Sequence, residues 1–476
     1  MFFNSITFLI FLSFVSFFFW NINKSFRVAF LVFSSCIFYG FWRWDFLLLI
    51  FFSTLLDYTI SILIDRNDDN DNKRKIYLLI SIITNLSLLA YFKYLYFIVD
   101  NINFAFGSNI SLYEIILPFG ISFYTFETIS YTTDVYRRLI KPESNFLRYA
   151  LFVTFFPKLV AGPIQRTKEF LDQVINPKEF SLDNLFKGSR RIIEGLFLKV
   201  VLADNLSTIV DDGFNVDPSI LSGVDVMTLS TLFGFQIYFD FAGYSSIAIG
   251  CALLLGFKIP ENFNYPYISQ SFKEFWKRWH ISLSSWIRDY LYLPLLGVKV
   301  FETTAKGGIG NKLDQKKGRN KNLILFITWA IMGLWHGANW TFMLWGLIHA
   351  TLIFIERIKN KYINLKTNSI VNWTTIYIFS MLSWIPFRAE NIENTLIMYS
   401  KLFDLGSFIN LNLRENYYLI AFILTLLFLL SYNFKSYKNA NNKIGVFVID
   451  VSKISIMIVL TYIFLRPIQQ FIYFQF

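Results

Sequence analysis

Charge is scarce in this sequence. Only 16% of its 476 residues are Asp, Glu, Lys or Arg, where a soluble domain carries about 25%. Cysteine is scarcer still. Cys36 and Cys251 both sit inside apolar runs, which excludes a disulfide framework and any metal-ligand spacing. Histidine occurs three times, as His280, His336 and His349. The sequence has no Ser/His/Asp signature, no phosphate-binding glycine loop and no cluster of metal ligands. Neither a metal nor a permanently bound cofactor is therefore expected. No internal repeat is visible, which argues against an inverted-repeat transporter. The run Phe2–Trp20 lacks the basic flank and small-residue cleavage site of a signal peptide, so it is expected to be a first span.

Apolar sequence fills the chain instead. It is 55% hydrophobic and 20% aromatic, and its 56 Phe cannot all hide in one soluble core. Runs near the length of a spanning helix recur from end to end, for example Ile76–Val99 and Ile444–Leu465. The expectation is a single all-α, polytopic membrane domain over 1–476. The net charge of +11 could point to nucleic acid. The Lys and Arg lie in short loops between apolar runs, however, which is the positive-inside pattern, so no nucleic-acid partner is expected.

Basic clusters set the topology. Lys24/Arg27, Arg66 with Lys73–Lys75, and Arg137/Arg138/Lys141 each follow an odd-numbered span and are placed inside. Phe152–Ile164 is apolar but too short to cross, and Pro157 and Pro163 interrupt it, so it is expected to be re-entrant or interfacial. A span near 192–210 leads to the acidic loop Asp211–Asp225, and Met227–Phe257 returns. The run Leu323–Ile355 has basic residues at both ends and must turn within the membrane, with Gly337-Ala338-Asn339 as the natural turn. Spans near 370–386, 417–432 and 444–465 follow, for about ten crossings plus re-entrant elements.

Three polar groupings interrupt this apolar background. Over 272–290, Lys273, Lys277, His280, Ser284 and Arg288 recur at helical spacing, opposite an aromatic stripe of Phe272, Trp276, Trp279, Leu283, Trp286 and Tyr290. The pattern predicts one interfacial helix. Its basic face is either a simple surface or a cationic mouth for an anionic donor, with Lys277, Arg278 and Arg288 as the donor-binding candidates. His336, in GLWHGANW, lies roughly 14 residues, hence roughly 20 Å, from the basic inner flank. An imidazole at that depth is a functional candidate. It could remove a proton from an attacking hydroxyl, with Asn339 orienting the ring or polarising a carbonyl. His349, near the inner end of the same run, is expected to be structural. Gln236, Asp240 and Tyr244 share a helix face. Asp240 is expected to pair with Lys, Arg or His, either tuning a histidine or holding two helices together.

FFPKLVAGPIQR (155–166), IYFDFAGYSSIAIG (237–250), ENFNYPYISQSFKEFWKRWHISLSSWIRDYLYLPL (261–295) and GLWHGANWTFMLWGLIHA (333–350) resemble the membrane-bound O-acyltransferases. They are most similar to the bacterial AlgI-like branch of alginate O-acetyltransferases, with peptidoglycan O-acetyltransferases and teichoic-acid D-alanylation proteins as relatives. PFGISFYTFETISYTTDVYRR (118–138) and PFRAENIENTLIMYSKLF (386–403) extend the match over nearly the whole chain. The resemblance implies a helical ring around a tunnel, in the inner membrane of a bacterium. It implies His336 as the catalytic histidine and His280 as the second one the family keeps. It also implies acyl-CoA, most often acetyl-CoA, as the cytoplasmic donor substrate, and an exopolysaccharide or cell-wall glycan as the acceptor outside. The acceptor would be reached through a periplasmic or secreted partner of the SGNH or AlgX/AlgJ type. Two departures stand out. Ser246 sits where alginate-type sequences often have an acidic residue, and residues 297–321 replace a short glycine-rich loop.

Tyr473 lies in the aromatic tail 471–476, and two readings of it stay open. It is an interfacial anchor, or it is an acyl relay of the kind that similar tails in relatives suggest. Alternatives to an O-acetyltransferase are D-alanyl transfer, a lipid-linked sugar transporter and a non-catalytic scaffold.

Overall fold

The computed structural model describes residues 1–303, 308–312, 319–363, 368–437, 443–465 and 471–472. Their regular secondary structure is helical except for a short antiparallel hairpin, Lys299–Thr303 with Gly308–Lys312, inside the 297–321 insertion. Among the described residues, six helices are long and apolar enough to cross a membrane: Phe46–Arg66, Asp71–Phe106, Gly223–Leu254, Trp340–Tyr362, Ser369–Arg388 and Glu415–Asn433. The protein is therefore multi-pass. The larger number of crossings inferred from the charges stays an expectation beyond these six.

By contact the chain forms two compact units, each drawn from three stretches. The first comprises Met1–Ile192, Ile247–Glu261 and Ser285–Ile324; the second comprises Ile193–Ser246, Asn262–Ser284 and Leu325–Phe476. In the first, Phe46–Arg66, Asp71–Leu89 and Ile121–Tyr136 pack on one another. They are tied by a fully buried polar network. Ser81 Oγ and Asn85 Nδ2 donate to Asp57 at 2.5 and 2.8 Å, and Ser53 Oγ donates to Asn85 at 2.7 Å. In an apolar surround each of these groups needs a partner, so the network fixes helix register. The segment 152–164 makes no spanning helix. Phe146–Thr154 and Phe156–Leu159 are separate short helices that break at Phe155. Lys158 is buried there as an ion pair with Glu127, and the Gln165 N–H donates to the same carboxylate at 3.0 Å.

The second unit is organised on Gly223–Ser246, the start of a helix whose apolar window is 89% buried inside the protein. Asp240 on this helix pairs with Lys199 at 2.5 Å, and Lys199 also reaches Asp204 at 2.7 Å. Lys199 sits on a π-helical turn, Phe197–Ala203, which continues into Asp204–Phe214. The Ile472 N–H also donates to Asp240, at 2.7 Å, so the end of the described chain is seated on the same carboxylate.

The expected turn at 337–339 is present. One helix ends at His336 and the next begins at Trp340, with Asn339 as its N-cap. The two helices run antiparallel with their backbones in contact. A Cβ on Gly346 would fall on the carbonyl oxygen of Trp329, and one on Gly333 would fall on that of Phe342. Small residues at such crossings let membrane helices approach closely. Gly346→Ala should therefore lower the thermal unfolding midpoint of the purified protein, since overpacking costs about 1–3 kcal/mol. Gly40→Ala, whose Cβ would meet nothing nearer than 3.9 Å, should not. Equal midpoints for the two variants would show that the close approach at Gly346 is not real.

Candidate active site

The stripe predicted over 272–290 does not form, because the helix is broken. Phe272–Arg278 is capped by Ser271 and ends before Trp279, which is extended. His280 follows with φ +41, and a new helix runs over Ile281–Ile287. A left-handed φ on a residue with a side chain costs about 1–3 kcal/mol and persists only where the surroundings impose it. Its effect here is to take His280 off the basic face. Lys273 and Lys277 stay exposed, while His280 is fully buried. The aromatic residues Phe272, Trp276, Trp279 and Trp286, with Leu283, are buried within the protein.

Asn262 holds the His280 ring. Its Oδ1 accepts from the Ser282 N–H at 3.3 Å and the Ser282 hydroxyl at 2.9 Å, and lies 3.1 Å from His280 Nδ1. Its Nδ2 donates to Ser245 at 3.2 Å. A backbone N–H can only donate, so Oδ1 is the acceptor and His280 Nδ1 must carry the proton. Nε2 then carries the lone pair, which is the form a base needs. Burial pushes the His280 imidazole down to about 3, so it is neutral throughout the physiological range. Between the ordinary value of 6.5 and about 3, the unfolded chain binds a proton there and the folded chain does not. That site therefore weakens the fold as pH falls through this window.

His336 packs against an aromatic ring that also packs against His280. The Trp335 ring lies 6.3 Å from the His280 ring and 5.0 Å from that of His336, between ring centres. His336 is 3% exposed and is further enclosed edge-on by Trp345 at 4.9 Å and Phe387 at 5.4 Å. Asn339, three residues on, spends its Oδ1 capping the next helix through the Thr341 N–H at 3.0 Å, which leaves its amide N–H₂ as the usable end. His349 is packed between Trp276, Trp329 and Trp345, and among the described residues neither of its ring nitrogens has a hydrogen-bond partner.

The other expected site residues fall elsewhere. The recorded partners of Asp240 are Lys199 and Ile472 rather than a histidine. Arg278 is engaged with Glu274 at 2.9 Å and with the carbonyl of Asn264 at 3.0 Å, a local structural role. Arg288 is exposed and pairs with Asp289 at 2.7 Å. Tyr473 lies outside the described residues. Asn262 and Lys199 escaped the sequence reading. Lys199 carried a signal, a lone cation within LFLKVVLA, whereas Asn262 in ENFNYPY carried none that periodicity could detect.

The arrangement is two buried imidazoles packed against one indole, with no group of three metal-ligating side chains among the described residues. Such a site can do proton-transfer chemistry on a hydroxyl. The relatives fit that chemistry. The chain is 40% identical over 388 residues to a probable alginate O-acetylase AlgI of Azotobacter vinelandii, covering 80% of this chain and 73% of the relative. It is 36% identical over 403 residues to a peptidoglycan O-acetyltransferase of Helicobacter pylori, covering 79% and 73%. A family model for membrane-bound O-acyltransferases matches residues 136–308. The chain belongs to the membrane-bound O-acyltransferase family. It is an AlgI-like O-acyltransferase. A teichoic acid D-alanyltransferase of Bacillus subtilis is also similar, at 34% identity over 265 residues, but covers only 54% of this chain and 63% of the relative.

Removing the Asn262 clamp tests the geometry of this O-acyltransferase directly. Asn262→Ala frees the His280 ring to take the wrong tautomer. It should cut the acyl-transfer rate by about 10-fold or more, since a correctly positioned base is worth about 10²–10⁴. Transfer kinetics on detergent-purified protein check this, and an unchanged rate would mean that His280 orientation does not matter to the reaction.

Proposed function

We propose that this enzyme is one membrane domain over 1–476 in the bacterial inner membrane. It moves an acetyl group from cytoplasmic acetyl-CoA to a hydroxyl of an extracytoplasmic polysaccharide, through a secreted or periplasmic partner. The observation that carries this reading is the pair of buried imidazoles, His280 and His336, each packed against Trp335. His336, at the end of its helix, takes the proton of the attacking hydroxyl and later returns it to the leaving thiolate. His280, held in its Nδ1–H form, is the second base. The amide of Asn339 is available to the thioester carbonyl. Lys277 and Arg288, both exposed, are the cations that would attract the phosphates of the donor. Asp240 acts as a tie between helices and the end of the chain rather than as a tuner of a histidine.

Acetyl transfer is preferred to D-alanyl transfer because similarity to the two O-acetyl-transferring relatives extends over about four-fifths of the chain. Similarity to the D-alanyltransferase extends over little more than half. The outer loops inferred from the sequence are too short to form a groove for a polymer, which is why a partner is included.

His336→Gln should lower transfer from acetyl-CoA at least about 10²-fold, the loss expected for a general base, while the protein inserts and purifies normally. Activity above about a tenth of wild type would remove the role. Tyr473→Phe keeps the aromatic surface and deletes one oxygen. As an acyl relay it should lose transfer to the acceptor and still bind acetyl-CoA; normal transfer would make the tail an anchor.

A further inference from the structure

The mechanism above leaves the developing negative charge on the thioester carbonyl without a dry hydrogen-bond donor. Asn339 is partly exposed, and half of its amide is committed to a helix cap. Trp345 is different. It is fully buried, at 0% exposure, and its Nε1–H has no hydrogen-bond partner among the described residues. An indole N–H can only donate, and a buried donor left unmade costs about 1–3 kcal/mol. A donor held in that state next to a base is available to an acceptor that arrives with the reaction.

Position singles Trp345 out further. The rings of Trp335, Trp345 and Phe387 pack against His336. Phe387 has no N–H donor, and the Trp335 indole packs on His280 as well as His336, whereas Trp345 packs on His336 alone of the two candidate bases. The indole is also fixed. His349 packs edge-on against it at 4.8 Å, Phe387 at 5.4 Å, and Trp384 stacks on it at 5.9 Å. A donor that is already oriented pays no reorganisation when charge develops, and it acts most strongly where water is excluded.

We propose that Trp345 is a further catalytic residue, whose indole N–H binds the carbonyl oxygen of the acyl thioester and stabilises it as an oxyanion. The step is balanced. The hydroxyl oxygen bonds to the carbonyl carbon as His336 takes the hydroxyl proton, and the carbonyl π pair moves onto oxygen, where Trp345 holds it. Collapse then breaks the carbon–sulfur bond, and the thiolate recovers the proton from His336. The proposal rests on the assignment of His336 as base.

The test replaces Trp345 in the full-length protein with β-(3-benzothienyl)alanine, which keeps the shape of the indole and puts sulfur in place of N–H. The turnover number should fall about 10²–10³-fold, the cost of losing one oxyanion donor, with KM for acetyl-CoA nearly unchanged. Binding of S-propyl-CoA, a thioether without a carbonyl, should equal wild type. A turnover number within about threefold of wild type, in a preparation where His336→Gln is inactive, overturns the role of Trp345 alone. An active His336→Gln enzyme instead removes the reading beneath it. Should the analogue fail to fold, fluorinated tryptophans at 345 preserve the ring and grade N–H acidity. The turnover number should track that acidity, and a flat series overturns the proposal.

Discussion

Gly346 has no side chain, so the carbonyl oxygen of Trp329 can occupy the space where a Cβ would stand, and Gly333 meets Phe342 in the same way. That contact between two backbones sets the spacing of the helices that carry His336 and Trp345. Moving them apart by one methyl group would displace the imidazole from the indole it packs against at 4.9 Å. The turn 337–339 is short because Asn339 both ends it and caps the helix that follows. The position of the candidate base is thus a consequence of helix packing, and the chemistry inherits its precision from residues that take no part in it.

A second demand comes from the apolar surround, where an unpaired charge is expensive. The protein meets it with buried pairs that also tie distant stretches together. Lys199 joins Asp204 to Asp240, and Asp240 receives the backbone of Ile472, 232 residues further on. Lys158 and Glu127 do the same work within the first unit, where Asp57 is satisfied by Ser81 and Asn85. The indole N–H of Trp345 and the two ring nitrogens of His349 are among the buried polar atoms with no hydrogen-bond partner among the described residues. What distinguishes Trp345 is that its ring also packs against His336.

Much of this was legible in the sequence. The long apolar runs, the turn at Gly337–Asn339 and the failure of 152–164 to make a spanning helix all follow from hydropathy, charge and proline. The environment of His280 did not. Helical periodicity assumes an unbroken helix, and a residue at φ +41 between two short helices resets the phase without altering composition. Asn262 was invisible for a related reason, since its hold on His280 and Ser282 depends on a loop folding back 18 and 20 residues away. Asp240 was rightly expected to need a cationic partner, but its choice of Lys199 over a histidine is a fact of three-dimensional packing. The 297–321 insertion, read only as a departure from the family pattern, contains a β-hairpin.

The central claim is that His280 and His336 serve one proton-transfer site. A double-mutant cycle on single-turnover acyl transfer, with His280→Gln, His336→Gln and the double variant, tests it most directly. Residues that act as a unit are strongly non-additive. The account predicts that each single variant is severely impaired and that the double variant is no slower, within a few-fold, than the slower single. Losses that multiply across the cycle, or a His280→Gln enzyme as fast as wild type, would contradict it.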